Sequence, residues 1–483
     1  SMGVAADLEN YVDGGWVRAR ATGRLDVFDP SDGSVLARVP RSGAEDVDAA
    51  VRAARAAFPA WRDVPVPDRA RRVLALRHLL EENAETLARS IVRENGKTWE
   101  EARGSVRRGI EATDFAASAP TTMQGSFLED VAAGVDTTLV RQPLGVVAGI
   151  TPFNFPIMIP MWMAPLALVC GNCFILKPSE RVPLSPSLLP PLFEKAGFPA
   201  GTFNLVHGDA EAVNAILTHP GISAVSFVGS APTARHIYTT AAAHGKRVQA
   251  LAGAKNHLIV MPDADLERSV PAIVSSAFGM AGERCLAGSV VEAVEPGADR
   301  LVERLVEAVR NLSVGPGDIA GTEVGPVIRA DHRDKILQWI RDGEAAGAKV
   351  VARGSAPPGS SGYFVAPVLL DQVRPEMSIA QEEVFGPVLS VIRAKSLDEA
   401  IENANRSRFG NASAIFTQDG KAAREFTRRI EAGMVGVNIG IPAPEAYFPF
   451  VGWKGSFYGD LHAAGRDAID FYTRKKVITS RWF

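Results

Sequence analysis

The feature that most constrains the fold is a regular alternation of strand-like and helix-like segments from residue 145 onward. Short apolar runs of strand length alternate with amphipathic stretches of helical period. We predict strands at 146–150, 173–176, 202–206, 224–228 and 247–251, and helices at 188–196 and 233–243. This alternation favours a parallel sheet covered by helices on both faces. A second α/β region follows from about 255 to 438, with predicted helices at 299–312 and 331–346.

The first 120 residues have a different character, with short strands and turns at 11–37 followed by helices. Apolar residues at three- and four-residue spacing predict helices at 46–58, 67–95 and 98–118. Ser42 is the predicted N-cap of the first helix, and Glu45 would complete a capping box. Two further strand-like segments, 121–142 and 471–482, predict a hairpin and a tail strand.

Length, charge and cysteine content limit the class of protein. A chain of 483 residues exceeds the usual size of a single core and should divide into two or three units. A formal net charge of -3 gives no reason to expect nucleic acid, and no apolar run is long enough to cross a membrane. Three cysteines suit a reducing compartment, so we expect a cytoplasmic protein. We interpret Ser1-Met2-Gly3 as a tag-cleavage remnant, with no signal sequence after it.

Cys285 is the strongest candidate for chemistry in the chain. It follows Glu283 and Arg284 and is surrounded by glycine and other small residues, which allow close approach of the backbone to another group. Arg284 and backbone N–H groups can favour the thiolate, the form of cysteine that attacks carbon. A small buried cysteine beside a tight turn is the alternative interpretation. The other two cysteines, Cys170 and Cys173, are interpreted as buried small residues, and no metal site is expected.

Two places in the first α/β region suggest a nucleotide site, although the sequence contains no G-x-G-x-x-G motif. Lys177 and Glu180 follow a predicted strand, at the edge where open α/β sheets bind ligands. A carboxylate there can accept hydrogen bonds from ribose hydroxyls and would repel a 2′-phosphate. Ser230 follows another strand, just before a helix whose N-terminus can receive a phosphate. An exposed ion pair after a strand is the structural alternative for Lys177 and Glu180.

Several motifs together resemble the aldehyde dehydrogenase superfamily. They are Pro152-Phe-Asn-Phe-Pro156, Lys177-Pro-Ser-Glu180, Phe227-Val-Gly-Ser230, Gly282-Glu-Arg-Cys285 and Glu382-Glu-Val-Phe-Gly-Pro387. Gly253-Ala-Lys-Asn-His257 and Phe471-Tyr-Thr-Arg-Lys-Lys476 further resemble the CoA-acylating methylmalonate- and malonate-semialdehyde dehydrogenase branch. The resemblance implies an α/β fold with a Rossmann-type NAD-binding domain (1–120 and 143–250), an α/β catalytic domain (251–440) and a small β oligomerisation extension (121–142 and 466–483). It also implies a homo-oligomer, arranged as a dimer of dimers.

The resemblance also assigns residues to roles. It implies Cys285 as the nucleophile, and the Asn154 amide with the Cys285 N–H as donors to the developing oxyanion. Arg108 and Arg284 match the arginines that hold a substrate carboxylate, although Arg107 is an alternative to Arg108. The implied NAD contacts are Phe153, Lys177, Glu180, Arg181, Ser230, Glu383 and Phe385. Ala234 departs from the family pattern, since many members have a glycine near this helix start.

The expected reaction is NAD-dependent oxidation of a small acidic semialdehyde through a thioester on Cys285. Loss of CO2 or bicarbonate and transfer to coenzyme A would then give propionyl-CoA or acetyl-CoA. Leu251 stands where hydrolytic aldehyde dehydrogenases carry a glutamate base, and leucine cannot take a proton. Glu283 is a possible substitute, so a hydrolytic enzyme that releases a free acid remains an alternative. A non-catalytic scaffold with the same fold is the alternative of another class.

Overall fold

The computed structural model describes residues 5–483, so Ser1 to Gly3 lie outside the described residues. The strands are β1 Ala6–Asp7, β2 Asn10–Val12, β3 Gly15–Val17, β4 Arg24–Phe28, β5 Val35–Pro40, β6 Ser126–Ala132, β7 Val135–Pro143, β8 Val146–Ile150, β9 Cys173–Lys177, β10 Phe203–Leu205, β11 Ala224–Val228, β12 Arg247–Leu251, β13 Asn256–Val260, β14 Gly288–Val294, β15 Lys349–Arg353, β16 Val368–Asp371, β17 Val388–Ala394, β18 Phe409–Gly410, β19 Ala412–Phe416, β20 Met434–Val437, β21 Trp453–Lys454, β22 Phe457–Tyr458 and β23 Thr473–Arg481. The α-helices are α1 Ala44–Arg62, α2 Val66–Glu82, α3 Ala84–Asn95, α4 Trp99–Ala117, α5 Ala119–Thr122, α6 Met158–Val169, α7 Pro190–Lys195, α8 Ala210–Thr218, α9 Ala231–Ala243, α10 Leu266–Phe278, α11 Ala298–Arg310, α12 Ala330–Ala345, α13 Ser378–Gln381, α14 Leu397–Asn405, α15 Gly420–Arg429 and α16 Gly465–Phe471, with 3-10 turns at Pro186–Leu188 and Gly279–Gly282.

The alternating region forms an eight-stranded sheet in the order β22-β12-β11-β8-β9-β10-β2-β3. The five central strands are parallel, whereas β22 and the β2–β3 hairpin run antiparallel at the two edges. Central strands β8, β9 and β11 are buried along their whole length, as expected for a sheet with both faces covered. The prediction of a parallel α/β sheet is confirmed.

A second sheet contains seven strands in the order β15-β16-β17-β14-β13-β19-β20. All of its pairings are parallel except that of β15 with β16. Its core is separate from that of the first sheet and includes apolar residues of α10 and α11. The second predicted α/β region is therefore also confirmed.

The tail strand β23 pairs with β7 over its whole length, and β7 pairs with β6 in a small antiparallel sheet. Side chains of the eight-stranded sheet region hold the start of this tail. Arg247 donates to the carbonyls of Asp470, Phe471 and Thr473 at 2.7–2.8 Å. Asn172 donates to the carbonyl of Tyr472 at 2.8 Å. The small sheet is therefore anchored firmly to the larger one.

Two local predictions were wrong near the N-terminus. The predicted helix at 67–95 is two helices, because Asn83 leaves helical geometry and its side-chain amide caps α2 by donating to the Leu79 carbonyl. The first helix is capped by Gly43, whose N–H donates to Asp46 at 3.1 Å, so the capping pair lies one residue later than Ser42 and Glu45. The Ser42 hydroxyl instead accepts a hydrogen bond from Asn10.

The hairpin also begins later than predicted, at residue 126, since 119–122 form the short helix α5. The tail strand begins at residue 473, after α16. Within residues 5–483, no helix has both the length and the apolar character needed to cross a bilayer.

Candidate active site

A cleft of about 850 Å³ lies beyond the carboxyl ends of β8, β9 and β11, where ligands bind in open α/β sheets. Its opposite wall comes from the second α/β region, including the start of α12. Every residue predicted for catalysis or cofactor binding lines this cleft, whereas Arg108 and Arg284 do not. The lining residues among those predictions are Phe153, Asn154, Lys177, Glu180, Arg181, Ser230, Cys285, Glu383 and Phe385.

Lys177 and Glu180 lie together in the lining of the cleft. The Lys177 ammonium donates to the carbonyls of Pro178 and Gly208, each at 2.7 Å, and burial lowers its pKa. Its distance to the Glu180 carboxylate is 3.7 Å, and the Glu180 side chain is 32% exposed. The lysine is therefore held by backbone carbonyls, while the carboxylate keeps accessible oxygens that can accept from ribose hydroxyls.

The first turn of the helix α9 also lines the cleft. It begins at Ala231 with Ser230 as its N-cap, two residues earlier than predicted. Pro232 suits the first helical turn, because its missing N–H would have no partner inside the helix. The Ala234 methyl is fully buried in the core. The departure from glycine at this position therefore places no atom in the cleft, and the helix N-terminus remains available to a phosphate.

An aromatic cluster forms part of the cleft lining. The rings of Phe153 and Phe385 meet edge-to-face, with 5.8 Å between centroids. The Arg181 guanidinium lies over the Phe153 ring at 5.4 Å. His332 packs against both rings and its Nε2 lies 2.7 Å from the Phe385 carbonyl oxygen. Phe385 has a φ of 57°, an unusual value for a non-glycine residue. Its contacts with Phe153 and His332 help to hold it in this conformation.

The loop that carries Cys285 is held by side-chain amides. After α10, Met280 and Ala281 both adopt left-handed backbone geometry, with φ of 56° and 55°. The Cys285 carbonyl accepts from the amides of Asn256 at 2.8 Å and Asn411 at 3.0 Å. The nucleophile candidate therefore lies on a strained loop with a fixed backbone.

The surroundings of Cys285 disfavour its thiolate. Burial raises its pKa to about 12, and the Glu383 carboxylate adds to the rise. Its own backbone N–H, the Leu286 N–H and Arg284 act in the opposite direction. Arg284 and the backbone donors therefore favour the thiolate as predicted, but loss of hydration disfavours it more than these donors stabilise it.

Glu383 is the acidic group that acts on this thiol. Its carboxylate accepts the Ala254 N–H at 2.7 Å. Burial raises its pKa to about 7, while Ala254 and the nearby Lys255 act to lower it. Glu383 therefore changes its charge near neutral pH, within the cleft that contains Cys285.

Asn154 lies in the cleft with an unsatisfied side chain. It is almost fully buried, and its Oδ1 atom has no hydrogen-bond partner within the described part of the chain. Buried amide atoms are normally paired. The unpaired Oδ1 atom can therefore accept a hydrogen bond from a bound substrate or cofactor in the cleft that also contains Cys285.

The two predicted substrate arginines lie outside the cleft but near one another. Arg108 is exposed, lines a small separate pocket and donates weakly to the Pro444 carbonyl at 3.4 Å. The alternative, Arg107, is paired with Glu81. Arg284 donates to the carbonyls of Ser275 and Ser276, and the charge of Arg108 contributes to lowering its pKa.

Sequence reasoning missed two residues near the cleft. His332 lines the cleft, and nothing marked it in the sequence beyond its place near the start of the predicted helix at 331–346. Lys97 is buried beside the Pro152–Pro156 loop and donates to the Asn154 carbonyl. The short run Asn95-Gly-Lys97 before a capped helix could have drawn attention to it.

The two residues considered for a hydrolytic base differ in position. Glu283 does not line the cleft, and its carboxylate accepts the Ile328 N–H at 3.2 Å. Burial raises the pKa of Glu283 to about 8. Leu251 ends β12 and is buried in the apolar core, next to Ala252, which does line the cleft. The cysteines 170 and 173 are also buried, and burial raises the pKa of each thiol to about 12.

Comparison with known proteins decides the family. Residues 16–478 match the model of the aldehyde dehydrogenase family. The chain belongs to the aldehyde dehydrogenase family. Among its aldehyde dehydrogenase relatives is malonate-semialdehyde dehydrogenase 2 of Geobacillus thermodenitrificans, 55% identical over 476 residues, which cover 98% of this chain and 99% of the relative.

Solved aldehyde dehydrogenase structures share the whole fold. One is methylmalonate-semialdehyde dehydrogenase from Oceanimonas doudoroffii, 46% identical, with a TM-score of 0.97 over 99% of this chain and 98% of that one. Another is a candidate methylmalonate-semialdehyde dehydrogenase from Sinorhizobium meliloti complexed with NAD, 45% identical, with a TM-score of 0.98 over 100% of this chain and 99% of that one. The predicted aldehyde dehydrogenase fold is therefore confirmed.

Proposed function

We propose that this aldehyde dehydrogenase oxidises malonate semialdehyde or methylmalonate semialdehyde with NAD and passes the acyl group to coenzyme A. The observation that carries the proposal is one cleft that contains Cys285, Asn154 and a nucleotide-binding edge, with Leu251 in place of a base. Relatives that bear malonate- and methylmalonate-semialdehyde dehydrogenase names support the substrate class.

The residues at the strand ends fit NAD. Glu180 would accept from the adenosine ribose, Lys177 would lie beside it, and Ser230 with the α9 N-terminus would receive the pyrophosphate. Glu383 would hold the nicotinamide end, with Phe385, Phe153 and Arg181 around it. When bound, NAD supplies the acceptor for a hydride.

The proposed chemistry begins at Cys285. Its sulfur attacks the aldehyde carbon, and the thiol proton leaves to a base. Glu383 acts on this thiol and has a pKa of about 7, which suits it to accept the proton. The resulting hemithioacetal oxyanion would receive hydrogen bonds from the Asn154 amide and the Cys285 N–H. Loss of hydride from the same carbon leaves a thioester on Cys285.

Two arginines support an acidic substrate. The Arg108 and Arg284 cations lie close enough for the first to lower the pKa of the second. A carboxylate that binds between two such cations gains from both, and the guanidinium fork can bind it bidentately. Cleavage of the bond between this carboxylate and the α-carbon of the thioester releases CO2, which water can convert to bicarbonate. The electron pair stays on the α-carbon as a thioester enolate until that carbon is protonated.

Release by coenzyme A follows from the absence of a carboxylate at position 251. The CoA thiolate attacks the thioester carbonyl and Cys285 leaves as a thiolate, so atoms and charge balance without activated water. A thiol is partly ionised near neutral pH and is intrinsically nucleophilic. Turnover should therefore be faster with coenzyme A than with water.

Hydrolysis to a free acid is the second candidate, and Glu383 is the observation that favours it. Its carboxylate lies in the cleft and changes charge near neutral pH, so it could activate water. Glu283 is a weaker candidate, because it is bound to the Ile328 N–H outside the cleft lining. A scaffold function would give no reason for Asn154, with its unpaired Oδ1 atom, to share a cleft with Cys285.

The deciding experiment is stopped-flow NADH formation with each semialdehyde, with and without coenzyme A, followed by mass spectrometry of the products. We expect a burst near one equivalent of NADH per active site, then a slow phase that coenzyme A accelerates. Full-speed turnover to free acid without coenzyme A would instead establish the hydrolytic enzyme.

The proposal includes a homo-oligomer, a dimer of dimers, in the cytoplasm. Exposed apolar side chains cover the small sheet formed by β6, β7 and β23, namely Phe127, Leu128, Val131, Val477, Ile478 and Trp482. The outer edges of β6 and β23 make no pairing within the described chain. An apolar sheet with free edges is typical of an interface between copies.

A further inference from the structure

The side chain of Lys97 holds the backbone of Asn154. Lys97 is 3% exposed, and its ammonium donates to the Asn154 carbonyl. It also lies 4.2 Å from the centre of the Phe155 ring, as a cation–π pair. Burial lowers its pKa to about 7, and Glu101 and Glu283 act to raise it. A buried lysine is costly, so this contact suggests a specific task.

Asn95 holds the same loop from the same turn. Its side-chain amide donates to the Phe153 carbonyl at 2.9 Å. Two consecutive carbonyls, those of Phe153 and Asn154, are therefore bound by side chains two residues apart. Together, Asn95 and Lys97 leave the Asn154 peptide little freedom to move.

The next helical turn reaches the loop that carries Cys285. Glu101 completes the capping box of α4, since one carboxylate oxygen accepts the Thr98 N–H at 3.1 Å. Its other oxygen accepts the Met280 N–H at 2.6 Å. Met280 has left-handed backbone geometry, and this hydrogen bond stabilises it there. One carboxylate therefore fixes the helix start and the strained loop together.

The turn is also packed tightly against the second α/β region. A Cβ atom added at Gly317 would lie 2.1 Å from the Lys97 carbonyl oxygen, and one added at Gly325 would lie 2.2 Å from that of Gly96. Gly96 itself has a φ of 91°, which favours glycine. The turn cannot shift without moving the backbone on both sides.

We propose that segment 95–101 sets the separation between the Asn154 amide and Cys285, with Lys97 and Asn95 positioning Asn154 and Glu101 positioning the cysteine loop. The inference rests on the proposed function, in which these two groups act on the same aldehyde. Lys97, Asn95 and Glu101 are positioning residues, since each acts through a backbone group of another residue. An oxyanion donor must be fixed before the reaction starts, because reorganisation during the reaction removes its advantage.

The test is a double-mutant cycle that uses Lys97→Met and Asn154→Ala. The measured quantity is the first-turnover rate of NADH formation with saturating NAD and propionaldehyde. Asn154→Ala should lose roughly 100- to 1,000-fold, as for other oxyanion donors. Lys97→Met should lose about 10- to 100-fold, with NAD affinity kept, because small displacements of a catalytic group have effects of this size. In the Asn154→Ala background, Lys97→Met should change the rate by less than about twofold.

Lys246→Met is the matched control. Lys246 is also buried and donates to two backbone carbonyls, those of His219 and Ile222. It lies outside the cleft lining, next to the N-terminal end of β12. The control should lower thermal stability but leave the first-turnover rate within about twofold of wild type, because the carbonyls that Lys246 binds belong to neither the Asn154 loop nor the Cys285 loop. Its effect should therefore simply add to that of Asn154→Ala.

Two further variants separate the possible failures. Asn95→Ala repeats the cycle if Lys97→Met does not fold. Glu101→Gln should slow the first turnover even in the Asn154→Ala background, because it acts on the cysteine loop. If Lys97→Met, or Asn95→Ala in its place, slows the first turnover by the same factor in wild type and in the Asn154→Ala background, the positioning role is overturned but the proposed chemistry is not. A wild-type rate in Asn154→Ala would instead remove the proposed oxyanion donor and with it the proposed chemistry.

Discussion

Alkylation of Cys285 should reveal how strongly the cleft disfavours its thiolate. With a pKa of about 12, the thiolate fraction at pH 8 is about one in ten thousand, compared with roughly one in four for an ordinary cysteine of pKa about 8.5. Iodoacetamide reacts with the thiolate. In the free enzyme, Cys285 should therefore react on the order of 1,000-fold more slowly than a model thiol at pH 8.

Glu383 gives this reaction a distinctive pH dependence. Its pKa is about 7, so it is neutral below this pH and negative above it. The negative form raises the pKa of Cys285, which opposes the gain of thiolate as pH rises. The alkylation rate should therefore rise less than tenfold per pH unit around pH 7, and approach tenfold per unit above pH 8.

Glu383→Gln should remove this inflection. The variant should match wild type below pH 6, where Glu383 is already neutral, and react faster than wild type above pH 8. Each unit by which the Cys285 pKa falls multiplies the thiolate population by about ten. Glu382→Gln is the matched control, because Glu382 pairs with Arg408 and has no part in the Cys285 shift.

The assay is mass spectrometry of the Cys285 peptide after timed exposure to iodoacetamide between pH 5.5 and 9.5, without cofactor. Cys170 and Cys173 are buried and serve as internal markers of unfolding. A rate at pH 8 equal to that of a model thiol would refute the reasoning that burial governs this cysteine. Identical pH profiles for wild type and Glu383→Gln would refute the coupling.

Four further predictions concern the substrate, the cofactor, product release and assembly. Arg284→Leu should raise the activation free energy that corresponds to kcat/KM by about 2–3 kcal/mol more for a carboxylated semialdehyde than for propionaldehyde. The rates are measured by NADH absorbance with Arg107→Leu as the control, and equal losses for the two substrates would mean a structural role for Arg284. Wild type should have a higher kcat/KM with NAD than with NADP, and Glu180→Gln should bring the two values closer together. An unchanged ratio of the two values in the variant would reject the placement of Glu180 at the ribose. Leu251→Glu should raise the turnover without coenzyme A in the product assay, and an unchanged rate would contradict the assignment of position 251 as the place of the missing base. Deletion of residues 474–483 should give smaller species in light scattering, and a monomeric full-length protein would contradict the proposed assembly.

The regular parts of the fold were predictable because their patterns are local. Strands β8, β11 and β12 begin and end where the sequence places them, since each is a short apolar run bounded by turn residues. The break at Asn83 could not be read from the helical period, because apolar residues continue across it. Nor could the shift of the first cap from Ser42 to Gly43, which depends on a hydrogen bond between Ser42 and Asn10.

The candidate site was predictable where residue chemistry is distinctive and hidden where it depends on distant contacts. Cys285, Lys177 and Glu180 follow from local motifs, and the structure brings them to one cleft. The pKa of the cysteine was not predictable, because desolvation depends on the whole surrounding fold. Lys97 was missed for a related reason, since its contact with Asn154 joins residues 57 positions apart.

The edge strand β22 has a consequence for the order in which the protein folds during synthesis. Residues 457 and 458 pair with β12 in the same sheet that contains β2 and β3 at its other edge. The ribosome completes the strands of this sheet up to residue 251 and then makes the entire seven-stranded sheet before it delivers β22. The first α/β region must therefore wait with one edge open while the second is made, although domains often fold one at a time as they emerge. During this interval β12 is an unpaired edge, exposed to other nascent chains.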